Sequence, residues 1–223
     1  MPVPNVDVYE ELSRKRLGKS NLMALFGESI KRIAQKMQSC EEWLEMVRDL
    51  REPIDPGKPP ADLDMRWAEK GDLFAINALE GFVKETDFME ESLRKGDRCL
   101  LFEQGNQLRA FAWVTFRDFR MALWYTLKLP PDWSYLEYIF VHPLVAGQGV
   151  GSYLLGSLLT AVRDQGVSHM VSGMYSNWDA SIRLHTKMGF RVQRRLTQCK
   201  ILNIFSIPPK AETWSDIKPT DQP

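Results

Sequence analysis

The chain has 223 residues, of which 44% are hydrophobic and 26% charged, values that are typical of a soluble globular protein. Its 29 acidic and 29 basic side chains balance, which argues against a protein that binds nucleic acid through its overall charge. No apolar run approaches the ~20 residues of a membrane-spanning helix, and the acidic N-terminus lacks the apolar core of a secretory signal.

The first 62 residues are predicted to form a helical N-terminal extension that ends in a linker. Hydrophobic residues recur at helical spacing along residues 22–37 and indicate one amphipathic helix. Ser39 and Glu42 form an S-x-x-E capping box ahead of an apolar segment at 43–50, which predicts either a second helix or one helix with a break near Cys40. Four prolines and a glycine between residues 51 and 62 indicate the linker.

Strand and helix signals alternate from residue 63 to residue 206. Strand signals fall at 65–67, 98–103, 107–116, 135–141, 168–173, 192 and 196–205, and helix signals at 72–83, 87–94, 152–164 and 177–187. A parallel strand pair joined by a crossover helix, beside a hairpin meander, predicts a mixed α/β sheet. Residues 207–223 contain four prolines and little periodicity, so we expect a flexible tail.

The stretch VHPLVAGQGVG at residues 141–151 joins a predicted strand to a predicted helix. Gly147, Gly149 and Gly151 leave backbone N–H groups free at the helix start, where the helix dipole also favours an anion, above all a phosphate. The spacing differs from the dinucleotide-binding G-x-G-x-x-G, because the next glycine is Gly156, and no Lys-Ser/Thr follows as in a P-loop.

A second motif, NWDASIRLHTKMGF, occupies residues 177–190. Together the two motifs resemble the V-x-P-x-x-[QR]-G-x-G-x-G and N-x-x-[AS]-x-x-L-[YH]-x-x-x-G-F elements of the GCN5-related N-acetyltransferase (GNAT) superfamily, over residues 64–206. The resemblance implies the acyl-CoA N-acyltransferase fold of the α/β (α+β) class. In this fold a mixed, mostly antiparallel twisted sheet has a central parallel, splayed strand pair and flanking helices. It also implies direct attack of a primary amine on acetyl-CoA in a ternary complex.

The resemblance also implies which residues bind acetyl-CoA. The glycine turn would donate backbone N–H groups to the pyrophosphate, the preceding strand would pair with the pantetheine arm, and Asn177 would flank that arm near the thiol. The implied residues are Phe140, Val141, Gly147, Gln148, Gly149, Val150, Gly151, Ser152 and Asn177. Ala146 departs from the pattern, because a Gln or Arg that contacts the phosphates is usual there, so Ser152 or the backbone would have to compensate.

Glu137, Tyr135 and His185 are the candidate catalytic residues. Glu137 shares a face with Ile139 unless a bulge intervenes, and its apolar neighbours would make it a stronger general base. Tyr135, two residues earlier on the same face, is the second candidate base. His185 stands where family members often have the tyrosine that protonates the leaving thiolate. The structural alternatives are a hydrogen-bonded strand residue for Glu137 and a helix histidine packed on Phe190 for His185.

Residues 116–133 are strongly apolar and aromatic, and in the family this connection helps to wall the acceptor cleft. Trp124, Tyr125 and Trp133 are therefore predicted to bind substrate. The same pattern would also suit a strand extension that packs on the N-terminal helices.

Cys40, Cys99 and Cys199 are widely separated and form no C-x-x-C pair. We therefore expect neither a disulfide framework nor a zinc site, and we expect Cys99 and Cys199 to be buried in strands. A cytoplasmic location follows by default. The three histidines have no carboxylate at ligand spacing, so no metal is expected.

These observations predict an N-acyltransferase that moves an acyl group, foremost acetyl, from acyl-CoA to a small-molecule or peptide amine. Neither nucleic acid nor membrane is an expected partner, and the helix at 22–37 is predicted to pack on its own domain or on a second copy in a homodimer. Two alternatives stay open. One is a long-chain N-acyltransferase that uses acyl-CoA or acyl carrier protein, and the other is a non-catalytic acyl-CoA-binding module.

Overall fold

The computed structural model describes residues 38–82, 87–122, 125–201 and 205–213, so the predicted helix at 22–37 lies outside the described residues. The chain divides into two compact units. One comprises residues 1–41 and 197–209, and the other comprises 42–196 and 210–223. In the described parts of the chain, no helix has the length and hydropathy that a membrane span requires.

Ten strands and four α-helices make up the described structure. The strands are β1 (Gln38–Asp49), β2 (Leu63–Trp67), β3 (Arg98–Gln104), β4 (Gln107–Thr115), β5 (Phe119–Ala122), β6 (Tyr125–Leu127), β7 (Trp133–Val141), β8 (His169–Tyr175), β9 (Arg191–Ile201) and β10 (Phe205–Thr213). The helices are α1 (Leu73–Asn77), α2 (Asp87–Arg94), α3 (Val150–Arg163) and α4 (Asp179–Lys187).

Eight strands form one sheet in the order β10-β9-β1-β8-β7-β4-β3-β2, and β5 and β6 form a separate hairpin. The pairs β1–β8, β2–β3, β3–β4 and β4–β7 are antiparallel, whereas β7 and β8 are parallel. A parallel pair needs a crossover connection, and α3 supplies it. The predicted fold class, a mixed and mostly antiparallel sheet with flanking helices, is therefore confirmed.

The parallel pair separates along its length. β7 and β8 pair from Trp133 opposite His169 to Leu136 opposite Ser172. Beyond that point β7 continues to Val141 and β8 to Tyr175 without pairing to each other. The predicted splayed pair is confirmed, and it leaves a gap in the middle of the sheet.

A β-bulge lies at the start of this gap. Tyr138 pairs with Trp113 of β4 while Leu136 pairs with the next residue of β4, so Glu137 is the extra residue. Leu136 and Ile139 consequently pack into the same core cluster. The prediction that Tyr135 shares a face with Ile139 is wrong, because the extra residue reverses the alternation, and Tyr135 packs into a different cluster.

The two faces of the sheet have separate cores. Helix α3 covers one face with side chains at helical spacing, including Leu154, Leu155 and Leu158, all fully buried. On the opposite face Phe111 and Trp113 of β4 pack against residues of α1 and α2 and their flanking segments. Burial on both faces explains the continuous apolar run at residues 110–114 of β4.

Three predictions about the chain termini and local elements are wrong. The segment after Ser39 is strand β1 rather than a helix, since Leu44 and Met46 alternate into the core with period two. The helix predicted at 72–83 is reduced to the five residues of α1. Residues up to Thr213 continue the sheet as β10, where an irregular tail was expected from residue 207.

The expectation about the cysteines is also partly wrong. Cys40 and Cys199 form a disulfide, although 159 residues separate them in sequence. Their pairing depends on which strand ends meet in three dimensions, and a spacing rule has no access to that. Cys99 is a free, buried strand residue, as expected. Because disulfides persist mainly in oxidising compartments, the cysteine argument for a cytoplasmic location no longer holds.

Candidate active site

A cavity of about 320 Å³ lies where β7 and β8 separate. This volume is within the range of small-molecule sites. Its walls come from β7, β8 and α4 and are mostly apolar. The lining residues are Leu136, Glu137, Tyr138, Ile139, Val141, Ser172, Gly173, Met174, Trp178, Ala180, Ser181, Leu184 and His185.

The glycine turn adjoins this cavity. Gly147 and Gly149 have φ angles of +77° and +85°, a backbone conformation that favours glycine, and Gly149 is the N-cap of α3. A Cβ atom on Gly151 would lie 3.5 Å from side-chain atoms of Val141 and Leu184, both of which line the cavity. The first N–H groups of α3 have no helical acceptor, so the turn can bind an anion at the cavity edge.

A lysine that sequence reasoning missed lies beside the turn. Lys187 Nζ donates a hydrogen bond to Ser152 Oγ at 3.1 Å. Ser152 belongs to the first turn of α3, so this contact brings a positive charge to the end of the helix that already favours anions. Ala146 has no polar side chain that could contact a phosphate, so Lys187 is the charged side chain placed beside the turn. Lys187 belongs to the second sequence motif, two residues before its Gly-Phe pair.

Three further residues predicted to bind acetyl-CoA differ in their position, and only Val141 lines the cavity. Val141 lines the cavity, whereas the ring of Phe140 packs on the opposite face, 5.7 Å from the ring of Phe111. Asn177 is exposed just before α4 and does not line the cavity, but its neighbour Trp178, 52% exposed, does. Sequence reasoning did not single out Trp178.

His185 is a neutral imidazole in which Nδ1 is the donor and Nε2 the acceptor nitrogen. Its Nδ1 lies 2.8 Å from the carbonyl oxygen of Ser181, and since a carbonyl only accepts, Nδ1 carries the proton of the neutral ring. Burial lowers the pKa of His185 to about 4, and the Ser181 hydrogen bond opposes that shift only in part. Nε2 is buried and has no hydrogen-bond partner among the described residues. An unpaired buried acceptor at a cavity wall suits a ligand donor.

Glu137 lines the same cavity as His185, whereas Tyr135 does not line it. Tyr135 is 3% exposed. Burial first, and the Glu137 carboxylate next, raise the pKa of Tyr135 far above its ordinary value. Tyr135 therefore stays protonated near neutral pH and is poorly suited to act as a base.

The three residues predicted to bind substrate have different surroundings. Trp124 lies outside the described residues. Tyr125 donates its hydroxyl to Glu45 at 2.8 Å, and burial followed by the Glu45 charge raises the pKa of Tyr125 to about 12. Trp133 stacks on His169 at 4.4 Å, at the paired end of β7 away from the cavity. Glu45 carried no sequence signal, because its position depends on the placement of β1.

Comparisons of the sequence with known proteins point to one family. Residues 63–190 match the model of the acetyltransferase (GNAT) family. The chain is 36% identical over 107 residues to the L-methionine sulfoximine/L-methionine sulfone acetyltransferase of Salmonella typhimurium (strain LT2), across 46% of this chain and 56% of that protein. It is 40% identical over 60 residues to the L-amino acid N-acyltransferase MnaT of Escherichia coli (strain K12), across 27% of this chain and 35% of that protein. The chain thus spans less than two thirds of either relative.

A solved structure shares the fold. The crystal structure of a GCN5-related N-acetyltransferase from Sphaerobacter thermophilus superimposes with a TM-score of 0.57 at 16% identity, covering 78% of this chain and 56% of that one. The family model covers more than half of the 223 residues. The resemblance found in the two motifs is therefore confirmed, and the chain belongs to the GNAT family of acetyltransferases.

Proposed function

We propose that this chain transfers an acetyl group from acetyl-CoA to the primary amine of a small molecule by direct attack within the gap between β7 and β8. One observation carries the proposal. The cavity at the gap is lined by both Glu137 and His185, and the glycine turn adjoins its wall. The two relatives are named for an amino-acid derivative and for L-amino acids, so an amino acid is the acceptor class to test first.

Acetyl-CoA fits the donor side of this site. The left-handed glycines and the N-terminus of α3 would bind its pyrophosphate, and Lys187 would add the positive charge that Ala146 lacks. The register between β7 and β8 ends at Leu136 opposite Ser172, so the backbone of β7 at residues 139–141 would pair with the pantetheine arm. The apolar lining would then enclose the acetyl thioester.

Glu137 would act as the general base. An amine acceptor arrives as an ammonium ion, and attack on the thioester requires a free electron pair on nitrogen. The bulge sets Glu137 apart from the regular ladder at the mouth of the gap, where its carboxylate can accept the ammonium proton. The amine then attacks the carbonyl carbon, a C–N bond forms, and the C–S bond breaks.

His185 would move the second proton. The attacking nitrogen must lose one more proton, and the departing thiolate must gain one. The resting ring cannot donate from Nε2, because its proton is on Nδ1 and is held by Ser181. His185 would therefore first accept the nitrogen's proton on Nε2 and then donate it to sulfur, which balances the reaction without an external acid.

An acceptor screen tests the proposal. The full chain is incubated with acetyl-CoA and a panel of L-amino acids and simple amines, while free thiol and N-acetylated product are both measured. Equal amounts of thiol and product support the proposal. Acetyl-CoA binding without product from any amine would instead favour a non-catalytic binding module.

A second candidate, a long-chain N-acyltransferase, is favoured by the apolar lining, which includes Leu136, Ile139, Val141, Met174 and Leu184. Turnover with dodecanoyl-CoA is compared with turnover with acetyl-CoA at equal concentration. A higher kcat/KM for the long chain would put this candidate first.

A further inference from the structure

A buried carboxylate lies one strand away from the cavity, outside the machinery described above. Glu45 of β1 is directly opposite Gly173 of β8, and Gly173 lines the cavity. Glu45 is only 3% exposed. A charge this well buried needs partners, because desolvation penalises it strongly.

Two residues contact Glu45. Tyr125 donates its hydroxyl to Glu45 Oε2 at 2.8 Å, and Arg194 Nε lies 3.7 Å from Glu45 Oε1. Arg194 Nη1 also lies 3.5 Å from the Tyr125 hydroxyl. Glu45 and Tyr125 therefore hold the Arg194 side chain from two directions.

Arg194 keeps most of its binding capacity. Its two contacts are long, its side chain is 42% exposed, and a guanidinium offers five N–H donors in a planar fork. Such a fork binds a carboxylate through two parallel hydrogen bonds. Glu45 lies near Nε and Tyr125 near Nη1, so both contacts orient the guanidinium while its N–H donors can still bind a ligand.

The cluster of Glu45, Tyr125 and Arg194 is continuous with the reaction site. Glu45 is directly opposite Gly173, which belongs to the cavity wall. Tyr125 packs against the cluster that contains Tyr135, and Tyr135 lies two residues before Glu137. An acceptor whose amine reaches Glu137 would therefore present a second group toward Glu45, Tyr125 and Arg194. Because two carboxylates already attract any ammonium, the distinguishing feature of the cluster is the guanidinium of Arg194.

We propose that Arg194, positioned by Glu45 and Tyr125, binds the carboxylate of the amine acceptor and thereby selects amino acids over amines without a carboxylate. This inference rests on the proposed function and identifies the residues that would bind the carboxylate of the acceptor. Both Glu45 and Arg194 lie outside residues 63–190, which the family model matches. Strands β1 and β9 thus supply specificity that family membership does not assign.

A pair of variants tests the inference. Arg194→Gln removes the charged fork, and Arg195→Gln is the matched control, because Arg195 is the next residue and contacts Glu42 at 3.5 Å instead. Rates of acetyl transfer are measured with L-methionine and with 3-(methylthio)propylamine, which lacks only the carboxylate. Other L-amino acids with their decarboxylated amines extend the set, and the Kd of acetyl-CoA is measured for each variant.

We expect the wild type to prefer the amino acid in each pair, and Arg194→Gln to lower its kcat/KM about 10- to 100-fold, mainly through KM, as for a lost hydrogen bond to a charged group. Rates with the plain amine, the Kd of acetyl-CoA and the behaviour of Arg195→Gln should not change. If Arg194→Gln does not fold, Arg194→Lys keeps the charge without the fork and should show a smaller loss in the same direction.

Equal rates with amino acid and amine in the wild type, or equal losses with both in Arg194→Gln, would overturn the inference while leaving the proposed function intact. Acetylation of neither member of any pair would contradict the proposed function, and the inference would fall with it.

Discussion

The two sides of the gap are built in different ways. The proposed donor side, residues 141–190, consists of the end of β7, the glycine turn, α3, β8 and α4, which follow one another along the chain. The proposed acceptor side combines Glu45, Tyr125 and Arg194 from β1, β6 and β9, which are distant in sequence. A contiguous segment encodes the proposed donor side, whereas the proposed acceptor side is assembled by tertiary contacts between strands of the large sheet and the β5–β6 hairpin.

The two sides also differ in charge. The donor side offers backbone N–H groups, one lysine and a neutral imidazole whose Nε2 is unpaired. The acceptor side contains a buried carboxylate, a tyrosine and an arginine that are already in contact. The donor side is thus suited to a phosphate and a thioester, and the acceptor side to a small ion of fixed geometry. Changes on one side should leave ligand binding on the other unaltered.

Glu137 stands where the two sides meet, and its removal should have the largest effect. We expect Glu137→Gln to lower kcat by 100-fold or more, as general-base catalysis commonly contributes that much. The loss should be greatest at low pH, because free amine becomes available without a base as pH rises. Steady-state kinetics from pH 6 to 9 check this. The exposed Glu90→Gln serves as the control, and a loss of only a few-fold at every pH would remove Glu137 from its role.

His185 should make stability depend on pH. The pKa of His185 is about 4 in the folded chain, below the ordinary 6.5. As the pH falls from 6.5 to 4, His185 is therefore protonated in the unfolded chain but stays neutral in the folded chain. The free energy of unfolding should therefore decrease by about 3 kcal/mol between pH 7 and pH 4 on account of this residue. Urea unfolding of the wild type and of His185→Phe at several pH values isolates the contribution. Identical pH dependence in both proteins would contradict the neutral, buried imidazole.

Substitution of Gly156 should lower the stability of the fold without acting selectively on the donor or the acceptor side. A Cβ atom there would lie 2.5 Å from Pro56 Cα, a backbone atom that cannot rotate away. We expect Gly156→Ala to lower the free energy of unfolding by about 2 kcal/mol, as for an overpacked core. The control is Gly71→Ala, whose Cβ would meet nothing within 4 Å. Denaturant unfolding gives the stabilities, and a stabilised Gly156→Ala would show that the linker does not pack on α3 as described.

Lys187 should have the smallest effect, and one restricted to the donor side. We expect Lys187→Ala to raise the Kd of acetyl-CoA about 5-fold, as for a partly exposed ionic contact near 1 kcal/mol. The effect should shrink at high salt, and the KM of the acceptor should stay the same. Calorimetric titration at two ionic strengths checks this, with the exposed Lys128→Ala as the control. An unchanged Kd would mean that the backbone of the turn holds the phosphates without help from Lys187.

Much of the donor side could be predicted because its signals are local. Turns and helix ends are marked locally by the glycines at 147, 149 and 151 and by the Gly-Phe pair at 189–190. Helix α2 was likewise predicted with its observed bounds, Asp87–Arg94. The crossover of α3 between parallel strands follows from the same local patterns. The roles of the individual site residues remain predictions.

On the proposed acceptor side the sequence singled out Tyr125 but neither Glu45 nor Arg194, for physical reasons. Ser39 and Glu42 match the sequence pattern of a helix cap, but the segment is a strand because Leu44 and Met46, two residues apart, are both buried in the core. Only the register of β1 against β8 brings Glu45 beside Gly173. The bulge at Glu137 has no sequence signature, yet it decides which side chains face the gap.

Acetyl transfer in the gap is tested most directly by incubating the wild-type chain with acetyl-CoA and L-methionine and measuring N-acetylmethionine by mass spectrometry against the CoA thiol released. We expect both products in equal amounts. Binding of acetyl-CoA without either product, and without product from any other amino acid, would contradict a catalytic gap joined to an amino-acid site.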